Sequence, residues 1–122
     1  MSDNKEYALK SDFNVVHLLG PGDALSPSQF VVCLYDRHYW VGIIMEVSSE
    51  NLDVKVKFMH PKLPAPSFKW PTREDLCWVP NVHICCVTSA PELKSQTARM
   101  YYFQKSECDK INNTVALHKK NF

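Results

Sequence analysis

At 122 residues, with 45% hydrophobic and 22% charged side chains, the chain has the size and make-up of one ordinary globular domain. A formal net charge of +1 excludes a polycation that coats nucleic acid by charge alone, and three glycines against 11% aromatics exclude a disordered chain. No run of about 18 apolar residues occurs, so no membrane-spanning helix is expected.

The start "MSDNKEYALKSD" is polar and lacks an apolar signal core. The expected setting is therefore a reducing compartment inside the cell. Residues 1–28 read as an N-terminal extension that ends in turn chemistry, "GPGDALSPSQ" over 20–29. From there the pattern changes to period two. "QFVVCLY" (29–35) is a buried strand, "DRH" a short turn, and "YWVGIIMEV" (39–47) a second strand. Alternation puts Tyr39, Val41, Ile43, Met45 and Val47 on one face of it, and Trp40, Gly42, Ile44 and Glu46 on the other. "SSEN" turns the chain into "LDVKVKFM" (52–59), where Leu52, Val54, Val56 and Phe58 face a core and Asp53, Lys55 and Lys57 face water. A one-residue slip would bury two lysines and an aspartate, so this register is well specified.

Five prolines then interrupt residues 57–80. Each removes a ladder donor, so 60–66 is not a central strand. "SFKW" pairs briefly, and "LCWV" (76–79) and "VHICCV" (82–87) are the last two strands. Five short strands in about 60 residues, with no helical period between them, predict a small antiparallel barrel at 29–88. The stiff proline-rich connection serves that barrel as a lid or a groove wall. Residues 89–122 form a basic C-terminal extension. "RMYYF" is a candidate extra strand, and a short helix over about 107–117 is expected behind Ser106 as cap, with Asp109 completing the signal. Lys94, Arg99, Lys105, Lys110, Lys119 and Lys120 outnumber Glu107 and Asp109 there, which makes the segment a candidate phosphate-contacting arm or a solvated tail.

Catalytic motifs are missing: there is no glycine-rich phosphate loop, no G-x-S-x-G and no H-E-x-x-H. His83, Cys85 and Cys86 invite a zinc reading. Adjacent cysteines on a regular strand point to opposite faces, however, and no second ligand pair of suitable spacing follows. Cys33, Cys77, Cys85, Cys86 and Cys108 are expected as free thiols, and no metal or cofactor is expected. A nucleophile at Cys77 or Cys85 with His83 is the one enzymatic reading, and the chain is expected not to be an enzyme.

The aromatic side chains carry more information. Tyr35, Tyr39, Trp40 and Phe58 stand at strand ends that converge on one rim of a barrel, with Trp70 and Trp78 as candidate groove walls. Such a rim holds a cation through ring faces, at about 0.5–2 kcal/mol per good contact, or stacks bases. Lys55, Lys57, Lys62, Lys69 and Arg73 are candidate phosphate contacts along one side.

Over residues 29–87, "FVVCLYDRHYWVGIIMEVSSENLDVKVKFM" and "EDLCWVPNVHI" resemble a Tudor-type or wider SH3-like barrel. The likeness lies in the aromatic that ends strand one, the short acidic turn, the aromatic-then-small "YWVGII", and the "VKVKF" strand. The resemblance implies a five-stranded SH3-like (Tudor-like) barrel with a short C-terminal helix. It places Tyr35, Trp40 and Phe58 at three of the four positions with which the family reads methylated lysine or arginine. Where the family has an aromatic-Gly-Asn segment this chain reads "HPKLP", with Pro61 at the fourth position. The proline and tryptophan pattern also resembles a chromatin-type barrel of transposon-derived proteins. Integrase C-terminal barrels share the fold and use it on DNA. The expected function is thus a non-enzymatic module that engages a protein or peptide in a chromatin or nucleic-acid-associated pathway, nuclear in setting by that resemblance alone; the alternative is a DNA- or RNA-binding barrel.

Overall fold

The computed structural model describes residues 17–18, 24–62, 67–95 and 99–121. The protein is mainly β with one C-terminal helix, as its patterning predicts, and all strand pairs are antiparallel. One sheet has six strands. Its centre is a meander of β2 (Phe30–Tyr35), β3 (His38–Ser48) and β4 (Asp53–Phe58), continued by β7 (Leu76–Pro80). On the other side of β2 lie β8 (Ile84–Thr88) and the two-residue β1 (His17–Leu18). A single turn of 3-10 helix, Asn81–His83, joins β7 to β8. The five expected strands are thus neighbours in one sheet. No ladder joins its two edges among the described residues, so the sheet is not a closed barrel.

It is nonetheless strongly bent. Val31 and Cys33 of β2, Ile44 of β3, Val54, Val56 and Phe58 of β4, Val79 of β7 and Ile84 of β8 share one apolar cluster. Both flanks of the sheet therefore contribute to the same inner core. In β4 the predicted alternation holds, with Val54, Val56 and Phe58 buried and Asp53, Lys55 and Lys57 at the surface side. Leu52 departs from it. It lies in the turn before the strand with φ 57°, 64% exposed, because the turn closing β3 to β4 runs through it.

The face assignment expected for β3 also changes. Ile44 pairs with Val56 and Glu46 with Lys55, so Met45 is an extra residue in a β-bulge. Val41 is buried on the outer face, but beyond the bulge Met45 and Val47 are exposed, so the five-residue apolar row is not one core face. Gly42 is required where β3 crosses β4. A Cβ there would stand 2.5 Å from Val56 Cγ1 and 2.7 Å from the Lys57 carbonyl oxygen.

A second bulge corrects the reading of the paired cysteines. Val32 pairs with Cys86 and Cys33 with Ile84, which leaves Cys85 as the extra residue. Ile84 packs into the inner cluster while Cys85 and Cys86 both pack into the outer one. The two thiols share a face.

The second sheet has the order β5 (His60–Lys62), β6 (Ser67–Lys69), β10 (Met100–Tyr102), β9 (Glu92–Ser95). The proline-rich segment is therefore partly strand: β5 is an edge strand, where Pro61 withholds no needed donor. Residues 63–66 lie outside the described residues. The segment covers the outer face of the six-stranded sheet, since Phe68, Trp70 and Tyr101 pack there on Val32, Val41, Met59 and Phe103. It is not a lid over the concave side.

Helix α1 spans Lys105–Asn121, longer at both ends than expected. It begins one residue before Ser106. The Cys108 amide bonds to the Gln104 carbonyl at 2.9 Å, so Gln104 rather than Ser106 takes the capping position. Cys108, Ile111 and Val115 pack on the outer cluster. The basic end of the chain is therefore a docked helix rather than a loose arm.

Candidate functional site

The tight hairpin between β2 and β3 builds one side of the site. Tyr35 pairs with His38 across a two-residue turn in which Asp36 and Arg37 both have positive φ, 53° and 69°. Such a turn matches the right-handed twist of the strands it joins. It sets Tyr35 at the end of β2 diagonally across from Trp40, which pairs with Cys33 and whose Nε1 donates to the Tyr35 carbonyl at 3.0 Å. β4 brings Phe58 under both. The Tyr35 and Phe58 rings stack with centroids 5.7 Å apart, and Trp40 meets Phe58 edge-on at 6.3 Å.

Tyr35, Trp40 and Phe58 thus converge at one end of the bent sheet. Phe58 is 1% exposed and forms the floor, Trp40 is half-buried, and Tyr35 is 43% exposed as the outermost ring. Three further residues join them. The His60 ring lies 5.9 Å from Trp40, beside Pro61, and its Nε2 donates to Asp75 Oδ2 at 2.8 Å. The Phe58 amide donates to the Asp75 carbonyl at 2.8 Å, which ties the segment before β7 to the end of β4. Cys77 stands next to the Tyr35 hydroxyl. A hydrogen bond with that thiol, together with the Asp36 and Asp75 carboxylates, raises the Tyr35 phenol above its ordinary pKa. The rim is therefore aromatic and locally acidic. His60 and Asp75 are silent in the sequence, because their approach depends on the β4–β7 pairing.

Tyr39 does not belong to this group. Alternation turns it to the outer face, where its hydroxyl is 2.8 Å from Nδ1 of the buried His118 on α1 and the two rings meet edge to face. The Val82 carbonyl can only accept, at 3.4 Å, so Nε2 of His118 carries the proton and in the neutral ring Nδ1 accepts from Tyr39. Burial raises the Tyr39 phenol pKa.

The groove-wall tryptophans also separate from the rim. Trp70 packs against Phe30 on the outer cluster under the Lys57 ammonium, 4.9 Å from its ring centre. Trp78, paired with Lys55, points outward from β7 and is 43% exposed. The candidate phosphate contacts divide as well. Lys55 is 3.5 Å from Glu46 and Lys57 is 3.4 Å from Glu74, whereas Lys62 and Lys69 lie exposed on the second sheet and Arg73 before β7.

A cleft of about 210 Å³ lies elsewhere, between the start of α1 and the second sheet, and is lined by Ser89, Glu92, Tyr102 and Glu107 among others. Its carboxylates have internal partners. Glu92 accepts from the Tyr102 hydroxyl at 3.2 Å and Gln104 Nε2 at 2.8 Å, and Glu107 from the Ser89 hydroxyl at 3.0 Å. No group of three or more His, Cys, Asp or Glu suited to a metal occurs among the described residues, and no described helix is long and apolar enough to cross a membrane. Comparison with protein-family models, with curated proteins and with solved structures finds no match to this chain.

Proposed function

We propose that the protein is a non-enzymatic binding module of Tudor-like, open SH3-like architecture that engages a cationic side chain of a partner peptide or protein. The architecture is supported by the strand order β8-β2-β3-β4-β7 and by the 3-10 turn between β7 and β8. The function rests on one observation: Tyr35, Trp40 and Phe58 meet at a single rim, with Asp75 held against it through His60.

Stacking of Tyr35 directly on Phe58 leaves the outer Tyr35 face and the Trp40–His60 side as the available surfaces. Ring faces attract cations, and the neighbouring carboxylates add to that field. A lysine or arginine, methylated or not, is the ligand class that such a rim favours over a phosphate. A chromatin-associated, nuclear setting follows from the sequence resemblance. The DNA- or RNA-binding alternative has less support, because Lys55 and Lys57 are each met by a glutamate.

Titration of the labelled protein with arginine–glycine and histone-tail peptides, methylated and unmodified, tests the reading by NMR. Shifts centred on Tyr35, Trp40 and His60 are expected. A rim that stays silent at millimolar peptide would rule the cation site out. Binding of an oligonucleotide instead, with affinity that falls with salt at a log–log slope of about −0.9 per phosphate contact, would establish the alternative.

A further inference from the structure

The Cys85 bulge places two adjacent thiols on the same side of β8, both fully buried beneath α1. The neighbouring thiol and burial hold the Cys85 thiol above the usual range, and the neighbouring thiol with Thr114 holds the Cys86 thiol below it. Thr114 of α1 reaches down to the pair, with its Oγ1 3.4 Å from the Cys86 sulfur. A tetrahedral zinc site needs four ligands, and no set of three or more metal-ligating side chains occurs among the described residues. The pair is suited instead to a centre that bonds two close sulfurs and asks for nothing else.

We propose that Cys85 and Cys86 form a vicinal dithiol site for a trivalent thiophile of the arsenous-acid class, roofed by the C-terminal helix. In the step R–As(OH)2 meets two thiols; two As–S bonds form and two As–O bonds break. Each hydroxide leaves with a thiol proton as water, and neither arsenic nor sulfur changes oxidation state. Both thiols are fully buried and Thr114 stands directly over the pair, where the added group would sit. Occupancy therefore displaces α1, which is held by the Tyr39–His118 contact near its end and the Ser89–Glu107 contact near its start.

The test treats the native full-length chain with one equivalent of phenylarsine oxide, which hydrates to the reacting dihydroxide, and reads intact mass. One adduct is expected, mapped by fragmentation to the peptide that contains Cys85 and Cys86, with faster amide exchange over 105–121. Adduct yield should fall about tenfold or more in Cys85→Ala and in Cys86→Ala, and persist in Cys33→Ala, Cys77→Ala and Cys108→Ala. Fragmentation of the wild-type adduct keeps the proposal falsifiable if an alanine variant does not fold. An adduct mapped to another cysteine pair overturns it. So does a native chain that forms none while the denatured chain does, because the thiols would then be core packing alone.

Discussion

The two faces of the six-stranded sheet are built from alternate residues of the same strands, yet they are held by different means. The inner cluster is short aliphatic side chains and thiols around Phe58. The outer cluster is aromatic and thiol-rich, and polar clasps fasten it: Tyr39 to His118, Thr114 to Cys86 and Glu107 to Ser89. Burial on the inner side is non-directional and tolerates no movement of neighbouring strands. On the outer side a few directional contacts fix a helix that meets the sheet from far along the chain. The inner side is thus the rigid frame for the aromatic rim, and the outer side is where movement is least costly.

The strongest way to break that contrast is at Phe58, which belongs both to the inner core and to the floor of the rim. Phe58→Ala should destabilise the protein by about 3–5 kcal/mol in chemical denaturation. An equal loss from Val115→Ala, on the half-buried face of α1, would remove the distinction between the two clusters. Gly42 comes next. Its missing Cβ lets β3 approach β4, and an alanine would meet the Lys57 backbone, which has no side-chain freedom to yield. Gly42→Ala should cost about 1–3 kcal/mol by overpacking. A melting temperature unchanged from wild type would mean that the β3–β4 crossing is looser than this geometry.

The same contrast explains how much could be read from the residues alone. The inner side was legible because alternation is local: "DVKVKF" declares which side chains are buried without reference to any other segment. Where a bulge adds a residue, at Met45 and at Cys85, local alternation gives the wrong face, and only the cross-strand register reveals it. The outer side was largely illegible. β10 joins β6 across some 30 residues of chain, and prolines mask the strand character of β5, which pairs with β6 from close by. His118 carries no signal in the sequence, since nothing nearby announces Tyr39 as its partner. Of the rim, Tyr35, Trp40 and Phe58 were readable from strand ends. Tyr39 also stands at a strand end, but alternation turns it to the face opposite Trp40, and His60 and Asp75 require the fold.

Trp40 separates frame from site. Half-buried and fastened through Nε1 to the Tyr35 carbonyl, it should lose less on truncation than a core ring does. Trp40→Ala is expected to lower the melting temperature by less than about 10 °C while abolishing the peptide-induced shifts at Tyr35. A larger drop would move Trp40 into the frame. On the outer side, Tyr39→Phe deletes the hydroxyl that meets His118 and keeps the ring. It should cost about 0.5–1.5 kcal/mol, with hydrogen exchange quickening in the last turns of α1 and not in β2 to β4. Equal quickening in both would show that helix and sheet open together.

The smallest effect is expected at the hairpin tip, and it has the opposite sign. Arg37 sits at φ 69° in the second central position of the β2–β3 turn, where glycine is the favoured residue. A left-handed conformation costs an L-residue roughly 1–2 kcal/mol. Glycine removes that strain but gives back about 0.4–1 kcal/mol through the greater freedom of the unfolded chain. Arg37→Gly should therefore stabilise the protein by about 0.5–1 kcal/mol, a rise of a few degrees in melting temperature. The change also removes a positive charge next to Tyr35, so affinity for a cationic peptide should hold or improve. A fall in melting temperature would mean that the arginine side chain makes contacts that outweigh its backbone strain, and a fall in affinity would count against a cationic ligand at the rim.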